Sequence, residues 1–403
     1  MPLLENRDII IVGQQPWDTS IGSNCKDLAV EFAKHNRVLY INAPLDRRTA
    51  FQQRNTPGVK KRTEVIAGKQ KALEQIAPNF WVYYPDVILE SINWIPITAI
   101  FRLINKINNK RFAKSIQVAI DNLGFKNFIL FNDNDIFRSY HLKSLLQPSV
   151  SVYYSRDYMI ATPYWGKHGK HLEPELIQNS DVCVANSVFL ANYCKKYNPN
   201  SFYVGQGCDF EMFNRDEPIK TPADLAPIKS PILGYVGALL SIRLDEQILI
   251  HIAETRPDWN VVLVGPEDED FKKSRLHEIK NVHFLGPKAP DTLPAYINGF
   301  DICLNPQGVN PLTIGNYPRK IDEYLAMGKP TLATKTEAIS IFSDFVYIAE
   351  TKEEYVSLAE KAIAENSEVL AESRATFAKT HTWEKNAEEI YKAINLVEQS
   401  VKR

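Results

Sequence analysis

Lys320 and Glu323 carry opposite charges three residues apart in the stretch NYPRKIDEYLAMGKPTLAT, residues 316–334. Side chains with this spacing share one face of a helix, where a solvated ion pair contributes only about 0.2–0.5 kcal/mol. The alternative is an anion site, because free backbone N–H groups of Gly315 and Asn316 at a helix start can bind a diphosphate. Lys320 would then add positive charge, and the Glu323 carboxylate would accept hydrogen bonds from ribose hydroxyls.

The residues around this pair predict a short helix followed by a strand. Ile321, Tyr324 and Leu325 repeat at i, i+3 and i+4, which makes one apolar helical face. Gly328 can take the left-handed conformation that ends a helix, and the proline two residues later keeps it ended. Residues 331–334 then have the pattern of a short strand. We therefore expect the charged pair on a helix that leads into a sheet.

The stretch resembles the donor-site helix of GT-B glycosyltransferases of the glycosyltransferase-4-like (group 1) superfamily, whose usual form is close to K-x-x-E-Y-L-A-x-G-K-P. The specific match runs from Lys320 to Pro330. The resemblance implies that Glu323 binds the ribose of a sugar nucleotide and that Lys320 lies beside its phosphates. Many retaining members carry a second Glu eight residues earlier, where this chain has Gly315. That departure favours an inverting mechanism.

The composition is that of a globular protein of two domains. At 403 residues, with 44% hydrophobic and 24% charged residues, the chain is too long for one ordinary core. A formal net charge of −1 gives no general attraction to nucleic acid. Five scattered cysteines without a CxxC or Cys/His cluster predict reduced thiols and no structural metal. Because neither a signal-peptide pattern nor an apolar run of about 18 residues occurs, we expect a cytoplasmic protein.

The first half of the chain opens with a strand–helix–strand pattern. Residues 8–12 and 37–42 are apolar runs of strand length, and a helical pattern lies between them. This order predicts a doubly wound α/β domain, although no GxGxxG motif is present. Ligands bind such sheets at the carboxyl ends of the strands. Gln14, Trp17 and Asp18 follow the first strand and are therefore candidate acceptor-binding residues, with packing as the alternative for Trp17.

Residues 47–114 carry many more basic than acidic side chains. The overlapping segment 91–116 predicts an amphipathic helix with Trp94 near its start and Lys106 and Lys110 off its apolar stripe. That stripe consists of Ile97, Ile100, Phe101, Ile104 and Ile107. A basic amphipathic helix can lie on an anionic membrane surface, whereas the alternative is a helix packed on its own domain. Many enzymes of the resembled group act on lipid-linked acceptors, so the resemblance favours membrane contact.

Asp157 is the candidate catalytic base. It follows the predicted strand 150–154, and a carboxylate just past a strand end is well placed to accept a proton. Members of the resembled family often have acidic residues at this point. The alternatives are a loop-capping role for Asp157, or His168 or His171 as the base. The polar residues 132–135 lack the Gly and distal Glu of a calcium loop, so we expect a strand-end loop there rather than a metal site.

A second strand–helix–strand pattern follows a proline-containing linker, residues 214–230. Residues 232–237 are its first strand, and in the resembled family the next loop commonly supplies two cations to the donor diphosphate. The first cation is missing, because Ala238 follows the strand, and Arg243 stands where the second belongs. Arg can bind phosphate with a bidentate fork, while the alternative is an ion pair with a neighbouring carboxylate. Further candidate contacts to sugar or phosphate are Asn305, Gln307 and Thr313.

These patterns and the resemblance predict an α/β protein of GT-B type with two facing, Rossmann-like, doubly wound domains. The expected limits are 1–213 for the acceptor domain, 214–230 for the linker, 231–380 for the nucleotide-sugar domain and 381–403 for a C-terminal helix that crosses back. The predicted site comprises Asp157 as base, donor contacts at Arg243, Thr313, Gly315, Asn316, Lys320 and Glu323, and acceptor contacts at Gln14, Trp17 and Asp18.

The resemblance implies a metal-independent glycosyltransferase. It would move a sugar from a UDP or GDP sugar to a hydroxyl of a glycan or lipid-linked acceptor in cell-envelope polysaccharide synthesis. We expect it in the cytoplasm or at the inner face of the membrane, with the nucleotide sugar as co-substrate, no cofactor and no nucleic acid partner. The alternatives are a non-catalytic nucleotide-binding homologue and a sugar-nucleotide epimerase on the same fold.

Overall fold

The computed structural model describes residues 4–19, 23–216 and 219–401, which form two compact units. The first unit contains residues 4–205 and 383–401, and the second contains Gln206–Thr382. Residues 206–213, which the sequence pattern assigned to the first domain, lie in the second unit, where Cys208 and Phe213 join its hydrophobic core. Each unit is built around one predominantly parallel sheet.

The described residues of the first unit form ten strands and seven α-helices before the chain leaves it. The strands are β1 (Asp8–Gly13), β2 (Arg37–Ile41), β3 (Leu45–Asp46), β4 (Leu73–Ala77), β5 (Phe80–Tyr83), β6 (Ile88–Leu89), β7 (Ile129–Asp133), β8 (Val150–Ser155), β9 (Val182–Ala185) and β10 (Ser201–Tyr203). The helices are α1 (Asn24–Ala33), α2 (Arg47–Gln52), α3 (Pro57–Ile66), α4 (Thr98–Leu123), α5 (Leu142–Leu146), α6 (Pro163–Asn179) and α7 (Val188–Lys195).

Eight of these strands form one sheet in the order β10-β9-β8-β7-β1-β2-β5-β4, while β3 and β6 pair separately. All neighbours in the large sheet are parallel except β4 and β5. β1 is buried along its whole length, as its apolar run predicts for a strand covered on both faces. α1 begins after Ser23, whose side chain accepts a hydrogen bond from the Lys26 N–H. Because β1, β7 and β8 are neighbours, the loops that follow them meet at one edge of the sheet.

In the part of the second unit that the structure describes there are six strands and five α-helices. The strands are β11 (Ile232–Val236), β12 (Asn260–Val264), β13 (Val282–Phe284), β14 (Ile302–Asn305), β15 (Thr331–Thr334) and β16 (Tyr347–Ala349). The helices are α8 (Glu246–Thr255), α9 (Leu293–Asn298), α10 (Arg319–Ala326), α11 (Lys352–Glu365) and α12 (Glu368–Ala378). All six strands are parallel, in the order β13-β12-β11-β14-β15-β16.

Two predictions about the second half of the chain are confirmed in detail. α10 leads into β15, and Gly328 between them has a φ of +71°, the left-handed conformation that ends the helix. The last helix, α13 (Trp383–Val401), packs within the first unit beside α1. Ile390 and Tyr391 of α13 share a hydrophobic core with Phe32 of α1.

Three further properties of the described residues bear on the site. None of their helices combines the length and the apolar character needed to cross a bilayer. They contain no group of three or more His, Cys, Asp or Glu side chains placed to hold a metal ion. All five cysteines are buried with free thiols.

Candidate functional site

Five of the six predicted donor residues line one cavity of the second unit. The cavity, of about 340 Å³, lies at the carboxyl ends of β11 and β14 and beside the first turns of α10. The five residues are Arg243, Thr313, Asn316, Lys320 and Glu323. Gly315, the sixth predicted residue, lies in the loop between Thr313 and Asn316. The helix motif and the loop after β11, which are distant in sequence, therefore contribute to a single site.

Lys320 lies across the end of β11. Its Nζ is 5.4 Å from the centre of the Tyr235 ring. Gly237 makes this position possible, because a Cβ built there would lie 2.1 Å from Lys320 Cε. Gly237 also has a φ of +142°, which other residues rarely adopt. The glycine at the strand end thus admits a cation to the cavity, although Ala238 after it supplies none.

Glu323 is at the cavity wall with a side chain that is 15% exposed. Its ion-pair partner is Arg319, whose Nε is 3.4 Å from Glu323 Oε1, and not Lys320 as a solvated pair at i,i+3 would require. Burial raises the pKa of Glu323 above its ordinary value, and the charges of Arg319 and Lys320 oppose that rise. Because the ion pair with Arg319 is the one contact of the carboxyl oxygens among the described residues, they have acceptor capacity for the hydroxyl groups of a ligand.

Arg243 is joined to the loop that precedes α10. In the amide orientation that satisfies its neighbours, Asn316 accepts a hydrogen bond from Arg243 Nη1 at 2.9 Å. The alternative partners for Arg243 were Asp245 and Glu246. Asp245 instead caps α8 by accepting from the Gln247 N–H at 3.0 Å. Glu246 accepts a hydrogen bond from Ser274 Oγ. A guanidinium has five N–H donors, so Arg243 can contact Asn316 and a phosphate at the same time.

Asn305 carries an amide group at the wall of the same cavity, at the end of β14. It is 6% exposed, and its Nδ2 is buried with no hydrogen-bond partner among the described residues. A buried donor without a partner costs about 1–3 kcal/mol, so an acceptor atom of a ligand would be stabilised here. Gln307, by contrast, is satisfied within the loop, because its Nε2 donates to the Thr313 carbonyl at 2.8 Å.

A buried network that the sequence did not reveal supports α10. Asp322 Oδ1 accepts a hydrogen bond from His381 Nδ1 at 2.7 Å, and Asp322 Oδ2 accepts one from Tyr317 Oη at 2.7 Å. Burial raises the pKa of Asp322, and hydrogen bonds from His381 and Tyr317 partly offset the rise. Tyr317 lines the cavity, so the network fixes one of its walls. His381 is 59 residues from Asp322, and no local pattern links the two.

In the first unit, Gln14 lines a separate cavity of about 650 Å³. Its Nε2 donates to the Asn134 carbonyl at 2.8 Å, which holds the side chain at the carboxyl edge of the sheet. Other walls combine aromatic with polar and basic side chains: Arg48, Asn93, Trp94, Arg138, Tyr164 and Trp165. Such a mixture can bind a ligand that has both polar groups and apolar faces.

Trp17 and Asp18, the other two acceptor candidates, do not line this cavity. The Trp17 ring packs edge-on against Phe80, with ring centres 4.8 Å apart. Both oxygens of Asp18 accept hydrogen bonds of 2.9 Å from the Arg62 guanidinium. Burial raises the pKa of Asp18, but the hydrogen bond and charge of Arg62 lower it below its ordinary value. Packing and ion pairing therefore account for the positions of these two side chains.

Asp157 comes just after β8, with a side chain that is 30% exposed. Its Oδ2 accepts a hydrogen bond from Arg156 Nη1 at 3.1 Å. Nε of the same arginine donates to the buried Asp133 at 2.8 Å. The Arg156 guanidinium thus forms hydrogen bonds with two carboxylates, the buried Asp133 and the partly exposed Asp157.

His168, an alternative candidate base, is a buried packing residue. Its Nε2 is 2.9 Å from the Ile95 carbonyl, and its Nδ1 is 3.2 Å from Thr98 Oγ1. The ring stacks on Phe101 of α4 with centres 4.0 Å apart, and burial lowers its pKa. These contacts join α6 to α4. His171 lies on the exposed side of α6.

Comparisons with known proteins found a matching family model and a curated relative of this chain. Residues 230–364 match the family model described as Glycosyl transferases group 1. A protein of Bacillus subtilis strain 168, provisionally named as the teichuronic acid biosynthesis glycosyltransferase TuaH, is 26% identical over 226 residues. That alignment covers 53% of this chain and 56% of TuaH, so the chain aligns with about half the length of this curated relative.

Two solved structures have similar folds over nearly the whole chain. Alr3699/HepE of Anabaena, in complex with UDP, has a TM-score of 0.64 at 13% identity and covers 96% of this chain and 99% of its own. Sucrose-phosphate synthase of Thermosynechococcus elongatus has a TM-score of 0.66 at 13% identity, with 98% and 100% covered. The chain therefore has the GT-B fold, as the sequence predicts. Residues 230–364 of its second unit match the group 1 glycosyl transferases, in agreement with the resemblance.

Proposed function

We propose that this protein is a glycosyltransferase. It moves a sugar from a UDP or GDP sugar to a hydroxyl of a glycan or lipid-linked acceptor in cell-envelope polysaccharide synthesis. The observation that carries the proposal is the cavity of the second unit, where Arg243, Lys320, Glu323 and the unpartnered amide of Asn305 converge. The family match over residues 230–364 covers this cavity, and the name of TuaH supports a role in envelope polysaccharide synthesis.

Each group at this cavity has a role in donor binding. Lys320 and Arg243 neutralise the diphosphate, with Arg243 held by Asn316 at 2.9 Å. Glu323 accepts hydrogen bonds from the ribose hydroxyls, and Asn305 Nδ2 donates to an oxygen of the phosphate or sugar. Fixed cations aimed at the leaving diphosphate stabilise its charge as it forms, so the reaction needs no metal ion.

The acceptor binds in the first unit, in the cavity beside Gln14. Asp157 is the base that removes the proton from the attacking hydroxyl. A base of this kind contributes about 10²–10⁴-fold to the rate. Because Gly315 replaces the second Glu of retaining relatives, we propose that the anomeric configuration is inverted.

The proposal includes peripheral contact with an anionic membrane through residues 91–116. Phe101 of the predicted stripe is buried, and Ile104 is partly buried beside it. Other apolar side chains of the segment are exposed: Trp94, Ile97, Ile100, Leu103 and Ile107. Helical spacing puts the last four on one face, with Lys106 and Lys110 beside them. An exposed apolar stripe flanked by basic residues is typical of helices that lie on membranes, which supports this part of the proposal.

Two other functions use the same fold. A non-catalytic nucleotide-binding homologue is favoured because Ala238 stands in place of the family's first cation and Gly315 in place of the second Glu. A sugar-nucleotide epimerase needs no second substrate, and the large cavity of the first unit argues against it.

Nucleotide binding tests the donor site. Thermal unfolding would be followed with UDP, GDP, dTDP, CMP and ADP, each with and without EDTA. A ligand at 100 times its dissociation constant adds about 2.7 kcal/mol to the free energy of unfolding. We expect that of the five nucleotides only UDP or GDP stabilises the protein, and that the stabilisation is the same with and without EDTA. Glu323→Ala should weaken the binding of that nucleotide by about 1–3 kcal/mol, or about 5–150-fold in the dissociation constant, because ribose hydrogen bonds are lost.

Glu278→Ala is the matched control, since Glu278 is an exposed carboxylate of the same unit. It should leave nucleotide affinity unchanged. Absence of binding by every nucleotide would reject the donor site. Binding without sugar transfer, across a panel of UDP and GDP sugars and polyprenyl-linked saccharides, would favour the non-catalytic homologue.

A further inference from the structure

Asn134 lies directly after β7, in the polar segment 132–135, whose first two residues are the last two of that strand. It is 1% exposed and has a φ of +54°, in the left-handed region. Asn tolerates this conformation better than most residues, so a turn alone could explain its presence. A residue needed only for the turn could equally be glycine. The contacts of the Asn134 side chain must therefore be examined separately from its backbone.

The Asn134 side chain holds the segment that carries the proposed base. Its Oδ1 accepts hydrogen bonds from the backbone N–H of Arg156 at 2.9 Å and of Asp157 at 3.0 Å. β7 and β8 are adjacent parallel strands with Asp133 opposite Tyr154, so Asn134 lies beside the first residues after β8. One amide oxygen thus fixes the backbone from which the Asp157 carboxylate extends.

Asn134 is itself fixed on its other side. Its Nδ2 donates to Tyr153 Oη at 3.2 Å, and Tyr153 Oη donates to Glu173 Oε1 at 2.7 Å. Tyr153 is fully buried and Glu173 is 1% exposed. The amide is therefore clamped between a buried hydrogen-bonded pair and the Asp157 backbone.

The Asn134 backbone holds a second candidate site residue, Gln14. Its carbonyl accepts the hydrogen bond of 2.8 Å from Gln14 Nε2, and Gln14 lines the cavity of the first unit. A single residue therefore joins a wall of the cavity to the backbone of the proposed base. Its hydrogen bonds to Gln14, Arg156 and Asp157 connect the end of β7 with the segments that follow β1 and β8.

We propose that Asn134 is a positioning residue for sugar transfer. It sets the location of the Asp157 carboxylate and of Gln14 relative to each other, and Arg156 completes the orientation through its 3.1 Å contact with Asp157 Oδ2. The inference rests on the proposed function, in which Asp157 is the base. It adds a residue whose effect on turnover passes through Asp157.

Asn134→Gly tests this inference, because it removes the side chain and tolerates the left-handed backbone. Displacement of a reacting group by about 1 Å can lower a rate about 10²-fold. We expect kcat to fall about 10–100-fold while the dissociation constant of the nucleotide donor is unchanged. Asn134→Asp should restore most of kcat, because a carboxylate oxygen can accept the same two N–H groups. Asn127→Gly is the matched control, since Asn127 is exposed and also left-handed, with a φ of +47°.

A double-mutant cycle separates positioning from general stability. If Asn134 acts through Asp157, adding Asn134→Gly to Asp157→Asn should cause no further loss of the residual turnover. An additive loss, or a kcat for Asn134→Gly within twofold of wild type, would overturn the inference while the proposed function stands. If wild-type protein transfers no sugar, or Asp157→Asn transfers at the normal rate, the proposed base is rejected and the inference is rejected with it.

Discussion

The two units bring their candidate site residues together in opposite ways on predominantly parallel sheets. In the second unit, four of the five donor candidates that line the cavity come from one loop and one helix, and only Arg243 comes from the loop after β11. In the first unit, Gln14, Asn134 and Asp157 follow three different strands and are joined only by hydrogen bonds. The contiguous site has a recognisable motif, and the family match covers it. The dispersed site depends on strand order, which no local pattern encodes.

A second contrast concerns two buried carboxylates. Burial raises the pKa of both Glu323 and Glu173. Glu173 accepts hydrogen bonds from Tyr153 Oη at 2.7 Å and Tyr193 Oη at 3.1 Å, away from either cavity described above. Among the described residues Glu323 has an ion pair only with Arg319, at 3.4 Å, and it lines a cavity. The hydrogen-bonding capacity of Glu173 is thus satisfied by the protein, whereas Glu323 has capacity for a ligand.

The largest effect should come from Asp157→Asn, which removes the proposed base and keeps its size. Turnover should fall about 10²–10⁴-fold, because the proton of the acceptor hydroxyl has no acceptor in the transition state. Nucleotide affinity should not change, which is the opposite of the result expected for Glu323→Ala. Steady-state transfer kinetics together with equilibrium UDP binding measure both quantities.

Asp121→Asn serves as the control, since Asp121 is an exposed carboxylate at the end of α4. It should affect neither quantity. Weaker UDP binding by Asp157→Asn would break the division of roles between the two units.

Glu173→Gln should change how stability depends on pH. Burial raises the pKa of Glu173 from an ordinary 4.5 to about 7. The folded protein therefore holds a proton that the unfolded chain releases, and stability is lost as pH rises from about 4.5 to about 7. Each pKa unit corresponds to 1.36 kcal/mol, so between pH 4 and pH 8 the wild type should lose on the order of 3 kcal/mol that the variant keeps.

Urea unfolding of both proteins across this pH range measures the difference. The buried amide can still accept a hydrogen bond from Tyr153, so we expect the variant to fold. Parallel pH profiles of the two proteins would mean that Glu173 is already ionised at neutral pH. In that case burial would not raise the pKa of Glu173, and the comparison of Glu173 with Glu323 as two carboxyl groups shifted by burial would no longer hold.

Sequence patterns predicted mainly those features whose residues lie close together along the chain. The α10–β15 segment, the left-handed Gly328 and the cluster of Lys320 with Glu323 follow from helical spacing and turn chemistry. Arg243 was placed in the same site by the family resemblance, in which the loop after this strand supplies cations to the donor diphosphate. The helix, its end and the strand need only local geometry, whereas the donor roles of these side chains came from the resemblance.

Residues that act through distant partners could not be predicted. Asp322 is supported by His381, 59 residues away, and Asp18 binds Arg62, 44 residues away. Polar residues at a strand end can face a ligand or a buried partner, and the choice depends on which helices pack against that edge. For this reason the same rule that placed Gln14 beside a cavity also selected Trp17, which packs against Phe80.

The smallest effect concerns the exposed stripe of α4, a feature of the first unit. Ile97, Ile100, Leu103 and Ile107 are 45–66% exposed on one helical face. The double variant K106Q/K110Q removes two charges beside that face. Each basic residue near an anionic surface contributes about 1 kcal/mol, so binding to phosphatidylglycerol vesicles should weaken about 30-fold. Sedimentation with vesicles at low and high salt measures this loss.

The matched control is K195Q/K196Q, a pair of exposed lysines at the end of α7 in the same unit. It removes the same charge and should change vesicle binding little, because no exposed apolar stripe accompanies it. Equal losses for the two double variants would mean that net charge alone drives binding. No loss for K106Q/K110Q would instead assign the stripe to something other than a membrane, and the acceptor would then have to reach the Gln14 cavity from solution.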